Sequence, residues 1–292
     1  MPSETTYSMS TEFAVAAPPV NGKGGTVVAK EEDKELLPIT GDYGADAGLG
    51  LDGVDASDFA IQWMRIIHYQ CPETTEGDAR YLPDAKPGML LNSATLQVVD
   101  GKTGGIFVPV TREHKYLEYI PRDAGGGFQG SWDLTDPRIA DLRRNQGQFG
   151  RLLLENGNEL TETFSFFGLF LPDETDVWRV GISFSSTQIR KYRMLTGRLA
   201  SLIGTPPKYP TFAWRWRVSS QPESNKKGRY FGWRILQEGD KPLAVTDDIY
   251  LEAREFHRQL RSGAVQMNYA QQRDDGSAMS DGGAPIDDNI PF

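Results

Sequence analysis

Three segments in the second half of the chain alternate strictly between apolar and polar positions. Within residues 177–184, Trp178, Val180, Ile182 and Phe184 fall on one side, with Arg179, Gly181 and Ser183 on the other. Residues 212–218 and 229–236 alternate in the same way. A period of two marks a strand with one face buried. Residues 160–171 form a longer, more apolar strand that ends at Pro172. Upstream, residues 89–99 and 105–110 are spaced to pair as a hairpin across residues 100–104, and residues 59–69 read as a further strand or a short helix, with the strand favoured.

The period changes after Phe184. Ser186 or Thr187 can cap a helix that runs to about Ile203, before Gly204 and Pro206. At 100° per residue, Ile189, Tyr192, Leu195, Leu199, Leu202 and Ile203 share one face. Arg190, Lys191, Arg193 and Arg198 share the other, so this helix packs with its apolar side and presents a basic one. A second helix is expected over residues 248–261. Strands, a helix and more strands predict a mainly β chain, with an oligonucleotide-binding (OB-fold) type β-barrel carrying an inserted helix. A sandwich or a β-rich α+β fold satisfies the same pattern.

Both ends lack any sustained period. Residues 1–46 are rich in Ser, Thr, Ala, Pro and Gly, and residues 263–292 in Gln, Gly, Ser and Asp. Both read as disordered, which leaves residues 47–262 as the folded domain.

Charge changes this picture. The net charge is −9 over 292 residues. Residues 1–46 hold three Lys and eight Asp/Glu, and residues 264–292 one Arg and five Asp, so the two ends carry the whole excess. Between Trp178 and Arg234 there are twelve Lys/Arg against a single acid, Glu223, together with ten aromatic residues. A folded surface normally mixes both signs, so this segment points to a polyanion. Single strands expose base faces and phosphates together, and a binder needs rings for the first and cations for the second. The candidate rings are Tyr192, Trp214, Trp216, Tyr230, Phe231 and Trp233. The candidate phosphate contacts are Arg190, Lys191, Arg193, Arg215, Arg217, Lys226, Lys227, Arg229 and Arg234. Trp214 and Trp216 alternate with Arg215 and Arg217, so one of these faces must enter the core. Large aromatics favour burial about two to one, which would leave the arginine face to bind. Residues 224–228 read as a basic hairpin loop or as a plain surface turn.

The chain closes with Asp287-Asp288-Asn289-Ile290-Pro291-Phe292 behind an acidic stretch. This end resembles that of bacterial single-stranded DNA-binding proteins, which finish in Asp-Asp-Asp-Ile-Pro-Phe; Asn289 is the one departure. The resemblance implies that Phe292 and its carboxylate dock into a basic-rimmed apolar pocket on replication or repair proteins of phage or host. Pro291 would stiffen the tip, Ile290 would extend its apolar side, and Asp287 and Asp288 would meet the rim. The body is similar instead to phage-encoded single-stranded DNA-binding proteins, through Lys86-Pro87-Gly88, Val108-Pro109-Val110 and Gly125-Gly126-Gly127.

Other chemistry finds little support. Gly101-Lys102-Thr103 lacks the glycine of a phosphate loop, because Leu96 stands in its place. His68, His114 and His257 show no metal-ligand spacing. Pro83-Asp84 with Glu113-His114-Lys115 loosely matches a metal-dependent nuclease, with Glu113 expected in a turn. Cys71 is the only cysteine, which excludes an intrachain disulfide and fits a reducing compartment. The longest apolar run, residues 164–171, is too short to span a bilayer. The sequence therefore predicts a non-catalytic, sequence-tolerant binder of single-stranded DNA in the bacterial cytoplasm. It needs no cofactor, metal or membrane, and self-association is left open. The alternatives are a nuclease and a virion or structural protein without nucleic-acid activity.

Overall fold

In a computed structural model of the chain, the described residues are 61–121, 124, 126–146, 151–225, 228–265, 267 and 269. The expected arm over residues 1–46 and the tip residues Asp287, Asp288, Ile290, Pro291 and Phe292 lie outside them.

The strands are β1 (Gln62–Ile66), β2 (Leu90–Asn92), β3 (Val98–Val99), β4 (Gly105–Tyr119), β5 (Phe128–Asp133), β6 (Arg151–Leu153), β7 (Glu159–Leu171), β8 (Trp178–Ser185), β9 (Arg215–Asn225) and β10 (Gly228–Glu238). The helices are α1 (Pro137–Gln146), α2 (Ile189–Ile203) and α3 (Asp248–Ser262). The strands form one sheet in the order β10-β9-β4-β7-β8-β1-β2-β3, with β5 added to β4 and β6 to β7. Only β1 and β8 run parallel among these neighbours.

The fold is mainly β, a strongly curled half-barrel with α2 inserted between β8 and β9. The curl has a physical reason in the core. One apolar cluster joins Met64 and Leu90, near one end of the sheet, to Trp216 and Trp233 at the other. These side chains meet only if the sheet bends toward them. Tyr192, Leu195 and Leu199 of α2 fill the remaining space, so the predicted apolar face of this helix closes the hollow. The opposite face of the sheet carries a second cluster, including Val108, Leu169 and Phe256, where α3 packs. Burying side chains of this size contributes about 1.5–3 kcal/mol each.

Local signals account for two of the helix ends, whereas α2 begins at Ile189 after a tight turn over Ser186–Gln188, with no side-chain cap from Ser186 or Thr187. The Asp247 carboxylate accepts the Ile249 amide at 2.9 Å and caps α3. At the other end of α2, Gly204 takes a φ of 83°, a conformation that side chains rarely adopt.

The structure corrects two local expectations. Residues 105–110 do not form a hairpin with residues 89–99. Instead β2 pairs with β3, and β4 runs on between β7 and β9. Glu113 is not in a turn but in the middle of β4, opposite Ser165. Past α3, Val265 and Met267 pack on the second cluster and Tyr269 is buried within it, so apolar contacts continue beyond residue 262. Among the described residues no helix is long and apolar enough to cross a membrane.

Candidate nucleic-acid interface

The basic segment folds into two neighbouring pieces, the helix α2 and the hairpin β9–β10. The hairpin is regular, with Trp216 opposite Gln237 and Arg234 opposite Ser219. Directly opposed residues share a face. One face therefore carries Trp216, Val218 and Trp233, and the other Arg215, Arg217 and Arg234. The first belongs to the interior cluster. Arg215, Arg217 and Arg234 are thereby turned outward, whereas Arg229, in line with Phe231 and Trp233, lies on the other face near the exposed start of β10.

Burial settles where the rings lie. Tyr192, Trp214, Trp216 and Trp233 are all buried. This corrects their assignment as stacking residues: the interior of the curled sheet needs their volume, and their faces are already covered. Tyr192 stacks on Phe164 with centroids 4.5 Å apart, and Trp214 meets Tyr209 edge-on at 5.7 Å. Tyr230 and Phe231 are half-buried. Burial raises the Tyr230 phenol above its usual range, and neighbouring Glu223 adds to this. Phe231 lies 5.5 Å from Tyr69. Tyr69 is exposed and escaped the sequence reading, because nothing local to it marks a site.

The cations divide into two groups. Lys191 pairs with Glu223 at 2.8 Å, and Arg217 with Glu238 at 3.0 Å. Burial pushes the Glu223 carboxyl up, but hydrogen bonds from Lys191, Gln221 and Tyr230 outweigh it and hold the group below its ordinary range. The hydrogen bond from Arg217 likewise holds Glu238 low. Arg190, Arg193, Arg215, Arg229 and Arg234 are exposed. None of these five forms an ion pair with a described residue. Lys226 and Lys227 lie outside the described residues. The one acid of the segment is thus held by Lys191, while five guanidinium groups stand free toward solvent.

The Gln188 side chain accepts the Trp233 amide at 2.9 Å, a backbone donor on the edge strand β10. This bond ties the start of α2 to the hairpin. A guanidinium is planar and permanently charged, which suits it to phosphate oxygens. Together the two pieces present five exposed guanidinium groups.

The residues of the loose nuclease pattern are arranged differently. Lys115 pairs with Glu113 at 3.0 Å, and His114, on the other face of β4, contacts Glu162 at 2.9 Å. Burial raises the Glu113 carboxyl above its ordinary value. Asp84 is exposed in the loop before β2. Among the described residues, no three His, Cys, Asp or Glu side chains group to hold a metal ion.

The family model described as "Pam3 phage gp34-like protein" matches residues 30–266 of the chain. No curated protein matches the chain. No solved structure matches it either.

Proposed function

The chain belongs to the Pam3 phage gp34-like protein family, and from that premise we propose that it is a phage-encoded, non-catalytic protein that binds single-stranded DNA. The observation that carries this reading is the set of exposed arginines, Arg190, Arg193, Arg215, Arg229 and Arg234, on α2 and the β9–β10 hairpin. Their side chains hold no acid among the described residues. The phosphate backbone supplies most of the affinity in such a complex and needs no base-specific contact. Binding is therefore expected to tolerate sequence and to weaken with salt. Arg215 and Arg234 hold the DNA from the outer face of the hairpin, Arg229 from the opposite face beyond the buried Trp233, and Arg190 and Arg193 from α2; the DNA does not enter the interior, which the tryptophans fill.

The terminal residues Asp287, Asp288, Ile290, Pro291 and Phe292 supply a second function in this reading. They recruit replication, recombination or repair proteins by placing Phe292 in a partner's apolar pocket. The acidic stretch before them competes with DNA for the arginine face, since opposite charges on one chain attract.

A gel mobility shift of the whole protein with single-stranded and duplex DNA tests the reading. Retardation of the single strand at low salt, relieved by added salt, is the expected result. Unchanged mobility of the single strand would overturn it and favour a virion or structural role. Magnesium-dependent cleavage lost in Asp84→Ala would favour the nuclease.

A further inference from the structure

A second exposed feature stands beside the hairpin, where the bend of the sheet brings the chain after β1 close to β10. The chain turns sharply at His68–Cys71, closed by the Cys71 amide donating to the His68 carbonyl at 3.2 Å. Tyr69 sits at the apex of this turn and is 57% exposed. The turn is anchored from beneath. Cys71 is fully buried, and its sulfur accepts the His68 amide at 3.1 Å. Arg65 and Glu73, both buried, pair at 2.5 Å on either side of it in sequence. An exposed ring on so firmly held a turn loses little freedom when something stacks on it.

Tyr69 does not stand alone. Its ring lies 5.5 Å from that of Phe231, with the planes 37° apart. Gly88 lies against Phe231 from another side. Gly88 has a φ of 92°, and a Cβ on it would come within 2.6 Å of the Phe231 ring. Glycine there lets the chain lie flush against the ring, and Lys86, two residues earlier in the same turn, is exposed. Arg229 is two residues before Phe231 on β10 and so shares its face of the strand. It is also exposed and belongs to the free arginines of the hairpin. An exposed ring backed by a second, with exposed cations on the neighbouring turn and strand, is the chemistry of an unpaired base and its own phosphate.

We propose that Tyr69 and Phe231 form the platform on which an unpaired base stacks, and that this platform makes the protein prefer single strands to duplex. The inference rests on the proposed binding of single-stranded DNA and assigns its selectivity to a different part of the surface. The arginine face meets phosphates, which duplex and single strand both present. A duplex keeps its bases inside the stack, so only a single strand can place one on Tyr69.

The test is the affinity of the whole protein for a dye-labelled oligo-dT, an abasic oligomer of equal length and a hairpin duplex. Wild type, Tyr69→Ala and Tyr69→Phe are compared at one salt concentration. Tyr69 is solvent-facing, so thermal melts of the variants should match the wild type. Loss of one stacking contact should weaken oligo-dT binding by about tenfold. Duplex and abasic binding should stay unchanged in Tyr69→Ala, and Tyr69→Phe should retain the wild-type preference. Wild type that binds oligo-dT while Tyr69→Ala keeps the same ratio of single-strand to duplex affinity would overturn the platform and leave the arginine face standing. Equal weakening toward all three ligands would also overturn it. No binding of any ligand by wild type would overturn both proposals.

Discussion

Removing Arg215 and Arg234 together should change the salt dependence of DNA binding by a calculable amount. Both side chains are exposed on the outer face of the β9–β10 hairpin, and neither is in an ion pair with a described residue. A single strand that engages the five free arginines displaces about 0.7 counterion per phosphate, so the slope of log K against log salt is about −3.5. Without two of them it falls to about −2.1. Raising salt from about 50 to 200 mM should then weaken the wild type about a hundredfold and the double variant about twentyfold. Arg215→Ala/Arg234→Ala should fold normally, because exposed substitutions seldom move stability by more than about 0.5 kcal/mol. Arg138→Ala serves as control, since Arg138 lies on α1 and is paired with Asp136 at 2.7 Å. The assay is the anisotropy of a labelled oligo-dT titrated at several salt concentrations. A double-variant slope equal to that of the wild type would refute the placement of phosphates on the hairpin. Intrinsic tryptophan emission is a poor substitute here, because Trp63, Trp214, Trp216 and Trp233 are buried.

Further outcomes follow from the same geometry. Trp216→Ala should cost about 3–5 kcal/mol of stability by emptying the interior of the half-barrel, read as a lower denaturant midpoint; a shift under about 1 kcal/mol would contradict its core placement. Glu113 has a carboxyl raised by burial above the ordinary 4.5, so it favours folding while protonated and loses that advantage as pH rises through its folded value. Melting temperatures of Glu113→Gln and wild type should therefore diverge in the variant's favour as pH rises above about 4.5, whereas a constant difference would count against the burial of this group. Deleting Phe292 should abolish capture of tip-binding repair proteins while leaving DNA affinity equal or slightly higher. Weaker DNA binding after the deletion would refute competition by the tail.

Much of this architecture could be read from periodicity. β8, β10, α2 and α3 appear close to where the pattern puts them because each buries mainly one face, while β7 showed as a continuous apolar run because both its faces are buried, Phe166 and Phe170 in one cluster and Phe167 and Leu169 in the other. β4 hid its length for the opposite reason. His114, Glu162 and Arg143 make a polar cluster on one of its faces, and Glu113 and Lys115 pair on the other, so alternation disappears in the middle of the strand. α1 offers only a narrow apolar stripe, with Ile139 as its buried residue, and gave no periodic signal. The hairpin showed that tryptophans and arginines must face opposite ways but not which side is inside. That choice is made by the curl, which brings Met64 and Leu90 to the tryptophan side. Tyr69 could not be foreseen, since its meaning comes from Phe231, a partner distant in sequence.

Hydrogen exchange of the full chain with and without saturating oligo-dT is the most direct test of the arginine face as the DNA site. Slower amide exchange is expected in α2 near Arg190 and Arg193 and along β10 from Arg229 to Arg234, with α1 unchanged. Saturated binding that left both segments unprotected, or protected only α1 and its neighbours, would contradict the account.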